Sequence, residues 1–146
     1  MSQSKIISSL TYLGTIPFIL AAFFLLLGIK MVPSLGATTY VISIYGLVIA
    51  SFMAGSHWGQ HITASKKLST QIYFMSNLMA LSLWMEFLVG SLIAYFGLLI
   101  AVFILSLWID YLGYQKKMIT SDYMNLRWRV TSVVVLSLSI VEYCIL

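Results

Sequence analysis

His57 and His61 stand four residues apart, a spacing that on a helix sets both imidazoles on one face, where they could share a metal ion. Two nitrogens do not complete a zinc site, which takes three or four protein ligands. The nearest carboxylates on the same side of the chain's apolar segments are Asp110 and Asp122, and the pair of histidines lacks the accompanying glutamate of a metallohydrolase motif. Haem is disfavoured as well, because both imidazoles leave one face of a single helix. No metal and no cofactor is therefore expected. A different pairing has more support: Asp110 with Arg127 or Arg129, since a guanidinium is the natural bidentate partner of a carboxylate and an unpaired charge at the edge of hydrocarbon is costly. Together with His57 and Trp58 these residues form a polar layer with two readings. One is a structural latch; the other is a pocket for an anionic lipid headgroup or a quinone carbonyl.

The elements that hold these side chains follow from composition. Of 146 residues, 61% are hydrophobic and only 8% are charged, too few to cover a water-facing surface. A soluble domain is excluded, and lipid is the solvent for most of the chain. Charges divide it into apolar blocks. A helix over the 42-residue block 68–109 would extend about 63 Å, twice the thickness of a bilayer core, so it must turn back, and Gly90-Ser91 is the natural place. Pro33, Ser34, Leu35 and Gly36 have the chemistry of a turn, which delays the next helix to about Thr38. The expected architecture is all-α, a single domain over 1–146 with five transmembrane helices at about 6–29, 38–61, 69–88, 91–112 and 128–146.

Orientation comes from the basic residues. With five spans, Lys5, Lys66, Lys67, Lys116, Lys117, Arg127 and Arg129 fall on one side and Lys30 alone on the other. Cytoplasmic loops carry the excess of Lys and Arg, so the N-terminus is expected inside and the C-terminus outside. A four-span chain would leave the same residues divided three against five. The first apolar run is too long for a signal sequence and lacks a small-residue cleavage pattern, which favours a retained anchor and a bacterial plasma membrane. Trp58, Tyr73, Trp108, Tyr111, Tyr114, Tyr123 and Trp128 sit near inner ends, with Tyr40, Trp84 and Tyr143 near outer ends, as headgroup-level anchors would.

Inside the spans, Pro17 removes a backbone donor and crowds the carbonyl of Leu13, predicting a kink beside Gly14 and Thr15. Gly46, Ala50 and Ala54 recur at four-residue spacing, with Ser51, Gly55 and Gly59 alongside, so the second span should be the central, most crowded helix, its small rows packing within one subunit rather than forming a dimer seam. Glu86 and Glu142 have only Lys30 as a basic partner at their end, and no span carries a charge at its centre, which counts against a proton-coupled pump. Cys144 is the sole cysteine and has no disulfide partner within the chain, so an inert thiol is expected.

The segment from Leu10 through Gly14 to Pro17-Phe18, the run from Tyr45-Gly46 to His57-Trp58-Gly59, Asp110, and the stretch Leu126-Arg127 to Val130-Thr131 resemble an uncharacterised multi-pass membrane family that includes transmembrane protein sixty-nine. The most specific piece is Gly55 to Gly59, where Ser56 stands in place of the usual glycine. The resemblance implies a small multi-pass protein of unknown function and singles out His57, Trp58, Asp110 and Arg127. It implies no chemistry.

With no nucleophile–base pair and no carboxylate-rich motif, a non-enzymatic role is expected: an accessory, assembly or scaffold subunit packing with other membrane proteins, with itself, or with the bilayer and its anionic lipids. The alternative is a small-molecule, lipid-headgroup or quinone binding or transport protein using the layer of His57, Trp58, His61, Asp110, Arg127 and Arg129. No nucleic-acid partner is expected, because the basic residues lie between apolar runs instead of forming one stripe.

Overall fold

A computed structural model describes residues 3–61 and 66–146, with side chains described over 5–59 and 70–146. The chain runs α1 (Gln3–Leu13), α2 (Ile16–Leu26), β1 (Met31–Val32), β2 (Gly36–Ala37), α3 (Thr38–His61), α4 (Lys66–Val89), α5 (Leu92–Gln115) and α6 (Ser121–Ile145). Five segments are long and apolar enough to cross a membrane: Lys5–Leu26, which joins α1 to α2, then Thr38–Gly59, Thr70–Val89, Leu92–Gln115 and Ser121–Ile145.

The break between α1 and α2 falls at Gly14 and Thr15, where Pro17 places it. Pro17 has no N–H to donate to Leu13, and the chain compensates with a tight bond from Thr15 N–H to the Tyr12 carbonyl (3.0 Å). The Gly14 carbonyl, loosened by the same break, accepts the Tyr45 hydroxyl of α3 at 2.9 Å. The kink is thereby fixed to a neighbouring helix.

α2 ends in a Schellman arrangement: Gly28 takes φ +75°, and the Ile29 and Gly28 amides donate to the carbonyls of Phe24 and Leu25. The short β1–β2 hairpin that follows pairs Met31 with Ala37 and Val32 with Gly36 around the turn at Pro33 and Ser34. The turn was legible in the sequence, but the strand pairing was not. Thr38 closes the hairpin onto the next helix, its hydroxyl donating to Ile29 and its amide to Lys30.

At the far end of α4, Gly90 leads into Ser91, whose side chain caps α5 by accepting from the Ala94 amide at 3.1 Å. α6 starts at Ser121, seven residues before the expected 128, with Thr120 as its N-cap and Asp122 in its first turn, a favourable place for a carboxylate. The expectation set the start between Arg127 and Arg129; the helix begins earlier because it carries Asp122 and Arg129 on its exposed face and turns Arg127 onto a buried partner.

α3 packs against α2, α4 and α5, α5 against α3, α4 and α6, and α2 closes the ring on α6. The most buried span is α5 rather than α3, with 44% against 39% of an 18-residue apolar stretch buried. The reason is that α5 turns bulky residues, Phe96, Leu99 and Phe103, into the centre, while α3 supplies the small ones. Gly46 lets the backbone of α3 meet Leu99 so closely that an added Cβ would stand 2.5 Å from Cδ2. Gly46, Ala50 and Ala54 are buried, whereas Ser51, Gly55 and Gly59 face outward.

Candidate polar site within the bundle

At the end of the bundle where α3 and α5 finish and α6 begins, three helices each contribute one polar side chain: His57 from α3, Asp110 from α5 and Arg127 from α6. Counting ~1.5 Å per residue, each lies about 10 Å from its own helix midpoint, which is why three residues far apart in sequence meet at one level. Arg127 Nε donates to Asp110 Oδ2 at 2.5 Å. His57 Nε2 stands 3.4 Å from Asp110 Oδ1, close enough for electrostatic attraction but not aligned as a hydrogen bond, so Oδ1 is left without a hydrogen-bond partner. All three side chains are buried, with relative exposures of 1% for His57 and Asp110 and 7% for Arg127.

The expected bidentate clasp does not form. Arg127 spends one of its five donors on Asp110, and among the described residues both terminal nitrogens meet only the sulfur of Met53, at 3.8 Å. A thioether is a weak acceptor, and a buried guanidinium so poorly matched retains capacity for a further oxygen. The neighbouring polar groups share this condition. Among the described residues, Thr131 Oγ1, Ser106 Oγ and His57 Nδ1 are buried without hydrogen-bond partners.

A cavity of about 350 Å³ reaches this cluster from the side of the α1–α2 break. Gly14, Thr15 and Phe18 form one wall, Phe52 and Met53 another, and Asp110, Arg127 and Thr131 the polar part. The lining is otherwise apolar, and the volume is that of a small-ligand pocket. The geometry can hold an elongated apolar molecule and offer N–H donors to an acceptor oxygen at its end.

The remaining predicted residues lie elsewhere. Trp58 is exposed and packs its ring on Tyr73 of α4 at 5.2 Å, and Arg129 is exposed on the other side of α6. The side chain of His61 lies outside the described residues, as do those of Lys66 and Lys67. Sequence reasoning missed Met53, Ser106 and Thr131. Each stands four residues from a member of the cluster, Met53 before His57, Ser106 before Asp110 and Thr131 after Arg127, so the one-turn neighbours on the same helix faces were the signal that could have found them.

No group of three metal-ligating side chains occurs among the described residues. No curated protein and no solved structure matches the chain. A family model does match, over residues 3–142, in accord with the resemblance carried by the Gly55–Gly59 segment. The chain belongs to the family described as protein of unknown function (DUF3429).

Proposed function

We propose that this protein is a non-enzymatic, multi-pass protein of a bacterial plasma membrane, N-terminus inside and C-terminus outside, that binds an amphipathic small molecule between its helices. The observation that carries the reading is the Arg127 guanidinium, buried at the polar part of a 350 Å³ apolar cavity, with both terminal nitrogens facing only a sulfur atom among the described residues. A ligand with an apolar body against Phe18, Phe52 and Phe103 and an acceptor oxygen at Arg127 satisfies those donors. Because Asp110 already balances the arginine's charge, a carbonyl or ester oxygen, as in a quinone or a lipid headgroup, suits the site without adding an uncompensated anion.

The test is native mass spectrometry with organic extraction of the detergent-purified chain. A bound amphiphile near one per protein is expected, and Thr11→Trp, on the α1 wall of the cavity, should displace it while circular dichroism stays unchanged. Recovery of wild-type protein free of any amphiphile, or equal retention by Thr11→Trp, removes this reading. The orientation is tested separately by compartment-sensitive reporters on both termini, which must report opposite sides.

The scaffold reading is supported by a different observation. Ser51, Gly55 and Gly59 face outward on α3, with open space where side chains of Gly55 and Gly59 would be, so a helix of another membrane protein or of a second copy could approach closely there.

A further inference from the structure

A second cavity, of about 410 Å³, lies at the opposite end of the bundle, between the start of α3, the end of α4 and the start of α5. Its chemistry is different. Three aromatic rings run along it in sequence: Tyr40 stacks on Phe87 with centroids 6.0 Å apart, and Phe87 meets Tyr95 edge-on at 5.6 Å. The hydroxyl of Tyr95 is already committed to the Ser43 carbonyl at 2.7 Å, which locks that ring in place.

Among the described residues, the only charged side chain lining the cavity is Glu86. Its carboxylate folds back over Gly90, occupying the space a Cβ would need, so the absence of a side chain at Gly90 is what lets it lie there. Glu86 makes no ion pair or hydrogen bond from its carboxylate among the described residues, and it sits in the last turn of α4, where the helix dipole disfavours a negative charge. Lys30, which precedes the β1–β2 hairpin, is exposed and makes no ion pair among the described residues.

A lone carboxylate in a cavity lined by the exposed ring of Tyr40 and the half-buried ring of Phe87, with the buried Tyr95 behind them, attracts an organic cation through charge and ring quadrupoles together. A metal ion is a poor fit, because one carboxylate without a second hard ligand cannot hold it. We infer that this cavity is a binding site for an alkylammonium group, either the headgroup of a lipid or a free quaternary ammonium compound. The site is independent of the Arg127 cavity, being at the other end of the bundle and suited to a cation rather than to a neutral acceptor oxygen.

The experiment uses the full chain in detergent, with native mass spectrometry of protein exposed to equal amounts of phosphatidylcholine, phosphatidylethanolamine and phosphatidylglycerol. Retention of the two ammonium lipids should exceed that of phosphatidylglycerol, and Glu86→Gln should lower it by about tenfold, the scale of one desolvated charge pair. Tyr40→Leu should lower it about two- to fivefold, the scale of a part-exposed cation–π contact. Glu142→Gln, which removes a carboxylate near the same end but outside the cavity, should leave it unchanged. Tetramethylammonium chloride separates the sources: competition with the lipids means that a free cation occupies the same place, and binding of lipid without competition identifies the headgroup. No preference over phosphatidylglycerol, equal losses in Glu86→Gln and Glu142→Gln, or no loss in Glu86→Gln and Tyr40→Leu would each overturn the inference. Unchanged circular dichroism in the variants guards against loss by unfolding.

Discussion

Asp110 and Glu86 are carboxylates at opposite ends of one apolar bundle, and they are accommodated by different means. Asp110 is buried among three helices and shares its charge with Arg127 and, more loosely, His57. Glu86 is half-buried at a helix end, beside a glycine, with no ion pair among the described residues. Depth separates the two. A buried charge about one and a half turns inside a helix needs a protein partner, whereas one in the last turn can reach the interface with its own side chain. The first arrangement ties helices together; the second leaves a group available to something outside the chain.

The sharpest way to break this comparison is to neutralise the buried partner. Asp110→Asn leaves Arg127 as an unpaired buried cation and should cost about 3–5 kcal/mol, read as a fall in thermal or denaturant stability in a fixed detergent. Asp110→Leu with Arg127→Met removes both charges and should recover most of that loss, since it is the unpaired ion that destabilises. A double variant as unstable as Asp110→Asn would mean that the pair matters for packing rather than for charge.

Between the two ends, the contact of α3 with α5 is steric. Gly46→Ala drives a Cβ to within 2.5 Å of Leu99 Cδ2, and overpacking of this kind costs about 1–3 kcal/mol. Leu99→Ala in the same chain should give back part of the loss, and a double-mutant cycle measures how much. Tyr95→Phe probes the seam nearer the Glu86 end by deleting the buried bond to the Ser43 carbonyl, for about 1 kcal/mol. A loss as large as that of Asp110→Asn would show that hydroxyl to be part of a larger network.

Much of this was legible in the sequence because lipid simplifies the reading. Pro17 placed the α1–α2 break, Pro33 to Gly36 placed the turn before Thr38, and Gly90-Ser91 placed the reversal between α4 and α5. Counting residues from span midpoints put His57, Asp110 and Arg127 at one level. What depth does not give is azimuth. Arg127 and Arg129 are about 200° apart around a helix and cannot both face inward, and Trp58 is about 100° from His57; only the positions of the neighbouring helices decide which side is buried. The start of α6 was misplaced for a related reason: charged residues such as Asp122 and Arg129 can lie on the exposed face of a helix as readily as beyond its end. The single-point contact between Arg127 and Asp110, and the choice of Met53 as the guanidinium's other neighbour, depend on side-chain rotamers that residue spacing does not specify.

The smallest effect is the most discriminating for the comparison between the two ends. Glu86→Gln keeps the shape of the side chain and removes its charge. Were Glu86 held as Asp110 is, the change would cost several kcal/mol. In the last turn of α4 the carboxylate instead opposes the helix dipole, so its neutralisation should leave stability within about 0.5 kcal/mol of the parent, with any shift upward. The same detergent unfolding measurement serves for both carboxylates, which makes the ratio of the two effects the relevant quantity. If Glu86→Gln destabilised the chain as much as Asp110→Asn does, then Glu86 would be satisfied by a partner inside the protein, and its cavity would no longer have a free charge to offer an external cation.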